Sequence, residues 1–129
     1  MSRPLPRPTH AELAILRVLW ARGPSTVRQV HEAMADERET GYTTTLKLMQ
    51  IMVEKGLVTR DESARTHIYQ ARSSQDQTQR QLVADLMNRA FGGSATALVM
   101  QALSTNPATA EELEAVGRLI EQYKQEMKS

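Results

Sequence analysis

Apolar residues in the first part of the chain recur at helical spacing and predict two short helices. The apolar stripe consists of Leu13, Leu16, Leu19 and Trp20 in the first helix and of Val27, Val30 and Met34 in the second. The sequence from Thr9 to Glu12 is a capping box that begins the first helix, which ends at Gly23–Pro24. Ser25 or Thr26 can cap the second helix.

The polar run 36–40 leads to a third helix over residues 41–56, which has two unlike faces. Its packing face consists of Leu48, Met49 and Met52 with Leu46 and Val53 beside it, and its polar face of Thr43, Lys47, Gln50 and Glu54. Gly56 supplies a left-handed cap. A helix that is locked into a core by one face and exposes Thr, Lys and Gln on the other is suited to reading the DNA major groove. An ordinary amphipathic helix with a solvated face fits the same pattern.

After Gly56 the pattern changes from helical to extended. Residues 57–61 and 65–70 are rich in strand formers and are separated by residues 62–64, so they predict a β-hairpin. Three helices followed by a hairpin indicate a winged helix-turn-helix domain, in which the second helix braces the third and the hairpin reaches along the DNA backbone. The same order of elements also builds protein-docking modules that do not bind nucleic acid.

From Ser73 the sequence is helical again and predicts three further helices with apolar faces. Their caps are offered by residues 73–76, by Ser94 and by the second capping box, residues 109–112. The apolar positions are Leu82, Val83, Leu86, Met87, Ala90 and Phe91 in the first, nearly all of 95–103 in the second, and Leu113, Val116, Ile120, Tyr123 and Met127 in the third. The last set has the spacing of two helices packed side by side.

About fifty residues cannot bury this much apolar surface alone, so we predict a homodimerisation region. The residues assigned to the dimer interface are Leu86, Phe91, Leu98, Val99, Leu113, Val116, Ile120 and Tyr123. Two other arrangements fit the same pattern. The helices could fold back on their own N-terminal domain, or the apolar segment 95–103 could line a pocket for a small regulatory ligand.

The predicted fold is therefore mainly α with a small β-hairpin. It comprises an extended arm over residues 1–8, a winged helix-turn-helix domain over 9–72 and a helical dimerisation domain over 73–129. The charge changes sign at this boundary, because residues 1–72 carry 11 Lys and Arg against 8 Asp and Glu, whereas residues 73–129 carry 5 against 7. The modest basic excess coincides with the candidate reading helix and permits DNA binding.

No pattern in the chain indicates catalysis, a cofactor or a metal. The three histidines fall in three different predicted elements, there is no cysteine, and phosphate-binding loops and nucleophile elbows are missing from the sequence. No apolar run approaches the roughly 20 residues of a membrane span, and the first residues lack the apolar core of a secretory signal. We expect a cytoplasmic protein without enzymatic activity or membrane insertion.

Candidate DNA-contacting residues follow from the docking geometry of a reading helix. They are Thr43, Thr44, Lys47 and Gln50 on the third helix, Arg60 and Arg65 beside the hairpin turn, and Arg28 near the start of the second helix. Lys47 suits guanine or a phosphate, Gln50 suits adenine, and threonine methyl groups suit thymine. The arginines suit phosphates, although a plain solvated charge fits each of them equally well.

Several segments together resemble the penicillinase and methicillin-resistance repressor family (BlaI/MecI type). They are residues 12–20, 23–30, 42–44, 54–58, 67–69 and 91–94, with Leu98–Val99. The resemblance implies a winged-helix repressor that is dimeric through its C-terminal helices and binds a dyad-symmetric operator. Such repressors are often encoded beside a membrane-bound zinc metalloprotease sensor, whose signal leads to cleavage of the repressor and breaks the dimer.

The chain departs from that family's pattern at three places. The antibiotic-resistance repressors are cut at an Asn-Phe bond in the apolar helix, and the matching position here is Gln101–Ala102, so we expect a different protease specificity. The copper-responsive branch uses C-terminal cysteines, which this chain lacks. Some relatives carry a basic residue where Ile51 stands, so the base preference of the third helix is expected to differ.

Overall fold

The computed structural model describes residues 6–35 and 40–128. The elements in chain order are α1 (His10–Arg22), α2 (Val27–Met34), α3 (Tyr42–Lys55), β1 (Val58–Asp61), β2 (Ile68–Ala71), α4 (Gln75–Ala90), α5 (Ala95–Thr105) and α6 (Ala110–Lys128). The mainly α fold with one small hairpin is thus confirmed. Most of the predicted arm (residues 1–5) and of the connection 36–40 (residues 36–39) lies outside the described residues.

Side-chain caps begin five of the described helices, as the sequence predicts, whereas α3 begins at Gly41 without one. The Thr9 hydroxyl accepts a hydrogen bond from the Glu12 backbone N–H at 3.2 Å, and Glu12 Oε1 accepts one from the Thr9 N–H at 2.8 Å. Thr26, rather than Ser25, caps α2 in a second box with Gln29. The remaining caps are Ser74 with Gln77 for α4, Ser94 for α5, and Thr109 with Glu112 for α6. Each cap gives partners to first-turn amides that have none within the helix.

The described chain divides into two compact units, and the boundary lies between Ala84 and Asp85, inside α4. The core of the first unit consists of Ile15, Leu16, Leu19, Val27, Val30, Met34, Met49, Met52, Leu57, Val58 and Tyr69. The predicted stripe of α2 is confirmed. In α1 the stripe is shifted, because Ile15 is fully buried while Leu13 is only half-buried. In α3 the buried side chains are Thr45, Met49 and Met52, and Leu48 is half-buried.

The hairpin has a longer loop than the sequence predicts. Arg60 pairs with Tyr69 and Asp61 with Ile68 in an antiparallel register, which leaves the six residues 62–67 outside the strands. The prediction that the second strand begins at Arg65 is therefore wrong. The physical reason is a turn at the end of β1, where the Asp61 carboxylate accepts a hydrogen bond from the Ser63 backbone N–H at 2.9 Å. The hydrogen bonds from Ser63 also lower the pKa of Asp61.

The segment before α2 pairs with the free edge of β2. The Ser25 N–H donates to the Tyr69 carbonyl at 2.9 Å, and the Tyr69 N–H donates to the Ser25 carbonyl at 2.8 Å. Both residues are buried, and the Ser25 hydroxyl donates to the Gly23 carbonyl at 2.9 Å. This bridge attaches the hairpin to the segment before α2. The attachment stabilises the hairpin, because an isolated two-stranded hairpin is only marginally stable in water.

The first turns of α4 belong to the first unit. The Trp20 indole N–H donates to the Ser73 carbonyl at 2.9 Å, immediately before the cap of α4, and Thr78 in its second turn is buried. These contacts explain why the compact units divide within α4. The functional boundary assigned after Arg72 stays a prediction.

An ion pair connects α1 to the end of α3. Lys55 Nζ lies 2.6 Å from Glu12 Oε1, and the Glu12 side chain is only 3% exposed, against 34% for Lys55. Burial by itself would raise the pKa of Glu12, but the hydrogen bonds from Lys55 and from the Thr9 backbone outweigh it, so the pKa lies below its ordinary value. The capping carboxylate of α1 therefore also fixes the position of α3.

Most large apolar side chains of the second unit are exposed. No residue of α5 or α6 is buried. The large exposed apolar side chains of this unit are Leu86, Val99, Met100, Leu103, Leu113, Leu119, Ile120, Tyr123 and Met127. Many large exposed apolar side chains within one unit are typical of an interaction site.

We predict that Glu12→Gln lowers the free energy of unfolding by about 1–3 kcal/mol at pH 7, because a charge-assisted hydrogen bond to Lys55 is lost. Since the folded-state pKa of Glu12 is lowered, this contribution is fully present above the ordinary value of 4.5 and is lost as the pH falls through the folded-state pKa. Urea unfolding of both proteins between pH 3 and pH 7 measures the difference.

The matched control is Glu54→Gln, which removes an exposed carboxylate from the last turn of α3, directly before Lys55. It should change the stability by less than about 0.5 kcal/mol. A Glu12→Gln difference that stays constant across the pH range would contradict the role assigned to the ion pair.

Candidate nucleic-acid interface

Helix α2 holds the first turn of α3 through side-chain contacts. His31 Nδ1 lies 3.3 Å from Thr45 Oγ1, and the Thr45 hydroxyl is 3.4 Å from the Gly41 carbonyl that it donates to. The His31 ring also meets the Tyr42 ring edge-on, with centroids 5.8 Å apart and an interplanar angle of 84°. His31 is half-buried and braces α3, a role that the sequence pattern did not indicate.

The outer face of α3 carries the predicted reading residues. Thr43, Thr44, Lys47 and Gln50 are all exposed. The opposite face holds the fully buried Thr45, Met49 and Met52. The helix is therefore fixed by one face while the other presents hydroxyl, ammonium and amide groups to solvent.

A groove of about 440 Å³ lies beside the start of α3. Its lining comes from the start of α2, the start of α3 and the hairpin, and consists of Thr26, Val27, Arg28, Tyr42, Leu46, Arg65, Thr66, His67 and Tyr69. We call it the α2–α3 groove. It brings together Arg28 and Arg65, which are 37 positions apart in the sequence. The Arg28 guanidinium carbon lies 5.7 Å from the centroid of the Tyr42 ring.

Arg60 lies within strand β1, whereas Arg65 lies in the hairpin loop. Its side chain is 28% exposed, and Nη2 lies 2.7 Å from the Glu62 carboxylate. A hydrogen bond to Tyr69, its partner in the hairpin register, is the main reason that the pKa of Arg60 is raised, with a further contribution from Glu62. The guanidinium is thus engaged within the hairpin, and the predicted phosphate role of Arg60 remains a prediction.

Among the described residues, three of the predicted DNA-contacting cations have no carboxylate partner. Within residues 6–35 and 40–128, no carboxylate forms an ion pair with Arg28, Lys47 or Arg65. By contrast, Arg80 and Arg89 on α4 pair with carboxylates one turn away. Positive charge therefore remains available along the start of α2, the outer face of α3 and the hairpin loop, where a polyanion would be attracted.

The residues predicted for the dimer interface all lie on α4, α5, α6 or the turn after α4. Five are exposed in the chain (Leu86, Val99, Leu113, Ile120 and Tyr123) and three are half-buried (Phe91, Leu98 and Val116). Gln101 and Ala102, the predicted cleavage region, are exposed within α5. The Gln101 carbonyl accepts hydrogen bonds from the hydroxyls of Ser104 and Thr105 at 3.1 and 2.9 Å.

The part of the chain that the structure describes shows no cluster of three or more potential metal ligands. In the same residues, none of the helices combines the length and the apolarity required to span a membrane.

Three helices in which α2 braces α3, followed by a hairpin fixed beside them, define a winged helix-turn-helix protein of the kind found in transcriptional regulators. The family model described as penicillinase repressor matches residues 8–122. The chain therefore belongs to the penicillinase repressor family, as the sequence motifs predicted.

Individual relatives agree with this assignment. Over 77 residues the chain is 40% identical to proteins named transcriptional regulator BlaI in two strains of Mycobacterium tuberculosis, CDC 1551 / Oshkosh and ATCC 25618. The match covers 59% of this chain and 53% of each relative, so it spans about half their length. A solved structure, the DNA binding domain of the repressor BlaI, matches with a TM-score of 0.50 and 16% identity over 57% of this chain and 90% of that one. At that identity the likeness establishes the fold alone.

The contrast between the two hairpin arginines gives a prediction about stability. Arg60→Ala removes the contacts with Glu62 and Tyr69 and should lower the thermal unfolding midpoint, whereas Arg65→Ala removes an exposed loop charge and should leave the midpoint unchanged. Thermal unfolding monitored by circular dichroism measures both variants. Equal midpoints for the two variants would contradict the structural role of Arg60.

Proposed function

We propose that this protein is a homodimeric transcriptional repressor that binds a dyad-symmetric operator. The observation that carries the proposal is the position of α3, whose buried face fixes it while its polar face lies next to the basic α2–α3 groove. Membership of the penicillinase repressor family supports the same conclusion. A cytoplasmic location and the absence of enzymatic activity belong to this proposal.

The exposed residues of α3 are proposed to read bases in the major groove. Thr43 and Thr44 lie in the first turn and Lys47 one turn further, which is the part of a reading helix that meets base edges. Lys47 donates to guanine or to a phosphate, and Gln50 pairs with the two polar groups of adenine. The threonine methyl groups pack against thymine.

The groove residues are proposed to bind the DNA backbone. Arg28 at the start of α2 and Arg65 in the hairpin loop both line this groove, together with Tyr42. Backbone contacts of this kind hold the protein in register without carrying sequence information. They also release counterions, which makes affinity fall steeply with salt.

Dimerisation is proposed to occur through the second unit, within the region 73–129. Leu113, Ile120 and Tyr123 follow the spacing of a helix-pairing seam on α6, and Tyr123 is 64% exposed in the single chain. A second copy would cover this seam together with the apolar residues of α5. Because two reading helices then bind half-sites about 34–36 Å apart, or a multiple of that distance, the phosphate contacts double.

Release from the operator is proposed to follow a signal from a membrane-bound metalloprotease sensor, the kind of partner that the family resemblance implies. The candidate cleavage region is Gln101–Ala102, which is exposed within α5. Since Gln-Ala differs chemically from Asn-Phe, the protease responsible would need a different specificity. Cutting α5 would separate the two halves of the proposed interface and weaken operator binding.

Two variants separate reading from dimerisation. Lys47→Ala should remain a dimer but bind operator DNA more weakly by roughly 1–3 kcal/mol, because a base or phosphate contact is lost in each half-site. Ile120→Asp places a charge in the apolar seam and should yield monomers that lose tight operator binding although α3 is unchanged. Analytical ultracentrifugation gives the oligomeric state, and fluorescence anisotropy gives the affinity for DNA from upstream of the gene.

Matched controls lie on the outer side of α6. Arg118→Ala removes an exposed cation on the face of α6 opposite Ile120, and Gln122→Asp introduces the same carboxylate two positions from Ile120, away from the seam. Both should behave like the unmodified protein in the two assays. Unchanged affinity for both Lys47→Ala and Ile120→Asp would refute the assignment of the reading helix and of the interface.

A further inference from the structure

Tyr42 is an aromatic residue that lies outside the hydrophobic core. It is the first residue of α3 and is 42% exposed, in a chain that has only one Phe, one Trp and three Tyr. Nothing in the hydrophobic pattern of α3 requires a ring at this position. Its contacts are with two side chains of α2, His31 and Arg28, and these contacts indicate what the ring does.

The ring of Tyr42 supports Arg28 in a defined position. Its edge-on contact with His31, which is itself held against Thr45, fixes the orientation of the ring. The Arg28 guanidinium carbon then lies 5.7 Å from the ring centroid, within the range of a cation–π contact. Arginine stacks on aromatic rings through its planar guanidinium and keeps its N–H donors directed outward in that arrangement. The contact therefore limits the conformations of a long side chain before any ligand binds.

The supported arginine belongs to a basic groove. Arg28, Tyr42, Arg65 and His67 all line the α2–α3 groove, and none of the described carboxylates pairs with either arginine. The planar fork of a guanidinium matches the geometry of a phosphate group and binds it through two parallel hydrogen bonds. The groove thus contains two guanidinium groups that form no ion pair with a described carboxylate, and the Tyr42 ring orients one of them, that of Arg28.

We propose that the α2–α3 groove is a binding site for a DNA backbone phosphate and that Tyr42 is the positioning residue that holds Arg28 ready for it. This inference rests on the proposed operator binding and extends it, because it gives Tyr42 a role that acts through Arg28 and requires no contact between Tyr42 and a base. An acidic peptide would present the same charge, so the test uses DNA and measures the response to salt.

The test is a double-mutant cycle on the full chain, with operator affinity measured by fluorescence anisotropy. Tyr42→Leu should weaken binding by roughly 5- to 30-fold in a dimer that contains two such pairs. Arg28→Ala should weaken it at least as much and reduce the slope of log affinity against log salt by about two, one phosphate contact for each protomer. In the Arg28→Ala background, Tyr42→Leu should have almost no further effect, since its partner is gone.

Two conservative variants keep the proposal testable if Tyr42→Leu fails to fold. Tyr42→Phe retains the ring and should bind like the unmodified protein. Arg28→Lys keeps the charge but lacks the planar group that stacks, so its affinity should fall to near that of Tyr42→Leu. Unchanged affinity for Arg28→Lys would overturn the proposal even if Tyr42→Leu failed to fold.

The remaining outcomes are also decisive. If the unmodified protein binds operator and scrambled DNA equally weakly, the proposed function fails and this inference fails with it. If the unmodified protein binds its operator selectively but the effects of Tyr42→Leu and Arg28→Ala multiply, the proposed function stands and Tyr42 does not act through Arg28. An equal loss for Tyr42→Phe and Tyr42→Leu would show that the hydroxyl matters and would overturn the positioning role of the ring.

Discussion

The pair of backbone hydrogen bonds between Ser25 and Tyr69 is the constraint on which the rest of the first unit depends. It joins the residue just before α2 to the free edge of β2, and it does so around a tyrosine that is itself buried in the core. Because a lone hairpin is only marginally stable, this attachment decides where the hairpin loop lies. The loop in turn supplies Arg65, Thr66 and His67 to the α2–α3 groove. The bridge therefore holds the hairpin loop beside the start of α2.

A second set of contacts fixes α3 at both ends and leaves its outer face free. The ion pair between Lys55 and Glu12 holds the last turn, and the contact of His31 with Thr45 holds the first. In between, Met49 and Met52 are fully buried. The polar groups of α3 are therefore presented from a rigid element, as sequence reading in a winged helix-turn-helix protein requires. Ionic and hydrogen-bonded contacts inside the domain thus fix α3, while Arg28, Lys47 and Arg65 form no ion pair with any described carboxylate.

Local patterns predicted most of the fold. Capping boxes and helical periodicity are short-range signals, so the helices and their caps could be read from Thr9, Thr26 and Thr109. Contacts between distant segments could not be read in this way. The Ser25–Tyr69 bridge, the engagement of Arg60 with Tyr69 and the bracing role of His31 all depend on the folded arrangement. The hairpin boundary was missed because Thr66, a strand former, extends the run that contains Ile68 and Tyr69, whereas the strand pairing ends at Asp61 and Ile68.

Operator binding by α3 and the α2–α3 groove is tested by a fluorescence anisotropy titration of the full chain at several salt concentrations. It compares DNA from upstream of the gene with a scrambled duplex of equal length. We expect tight, sequence-dependent binding with a slope of log affinity against log salt of about −4 or steeper, since each protomer of the proposed dimer directs at least two arginines at phosphates. Equal and weak binding to both duplexes would contradict it and would identify the exposed face of α3 as a surface for a protein partner.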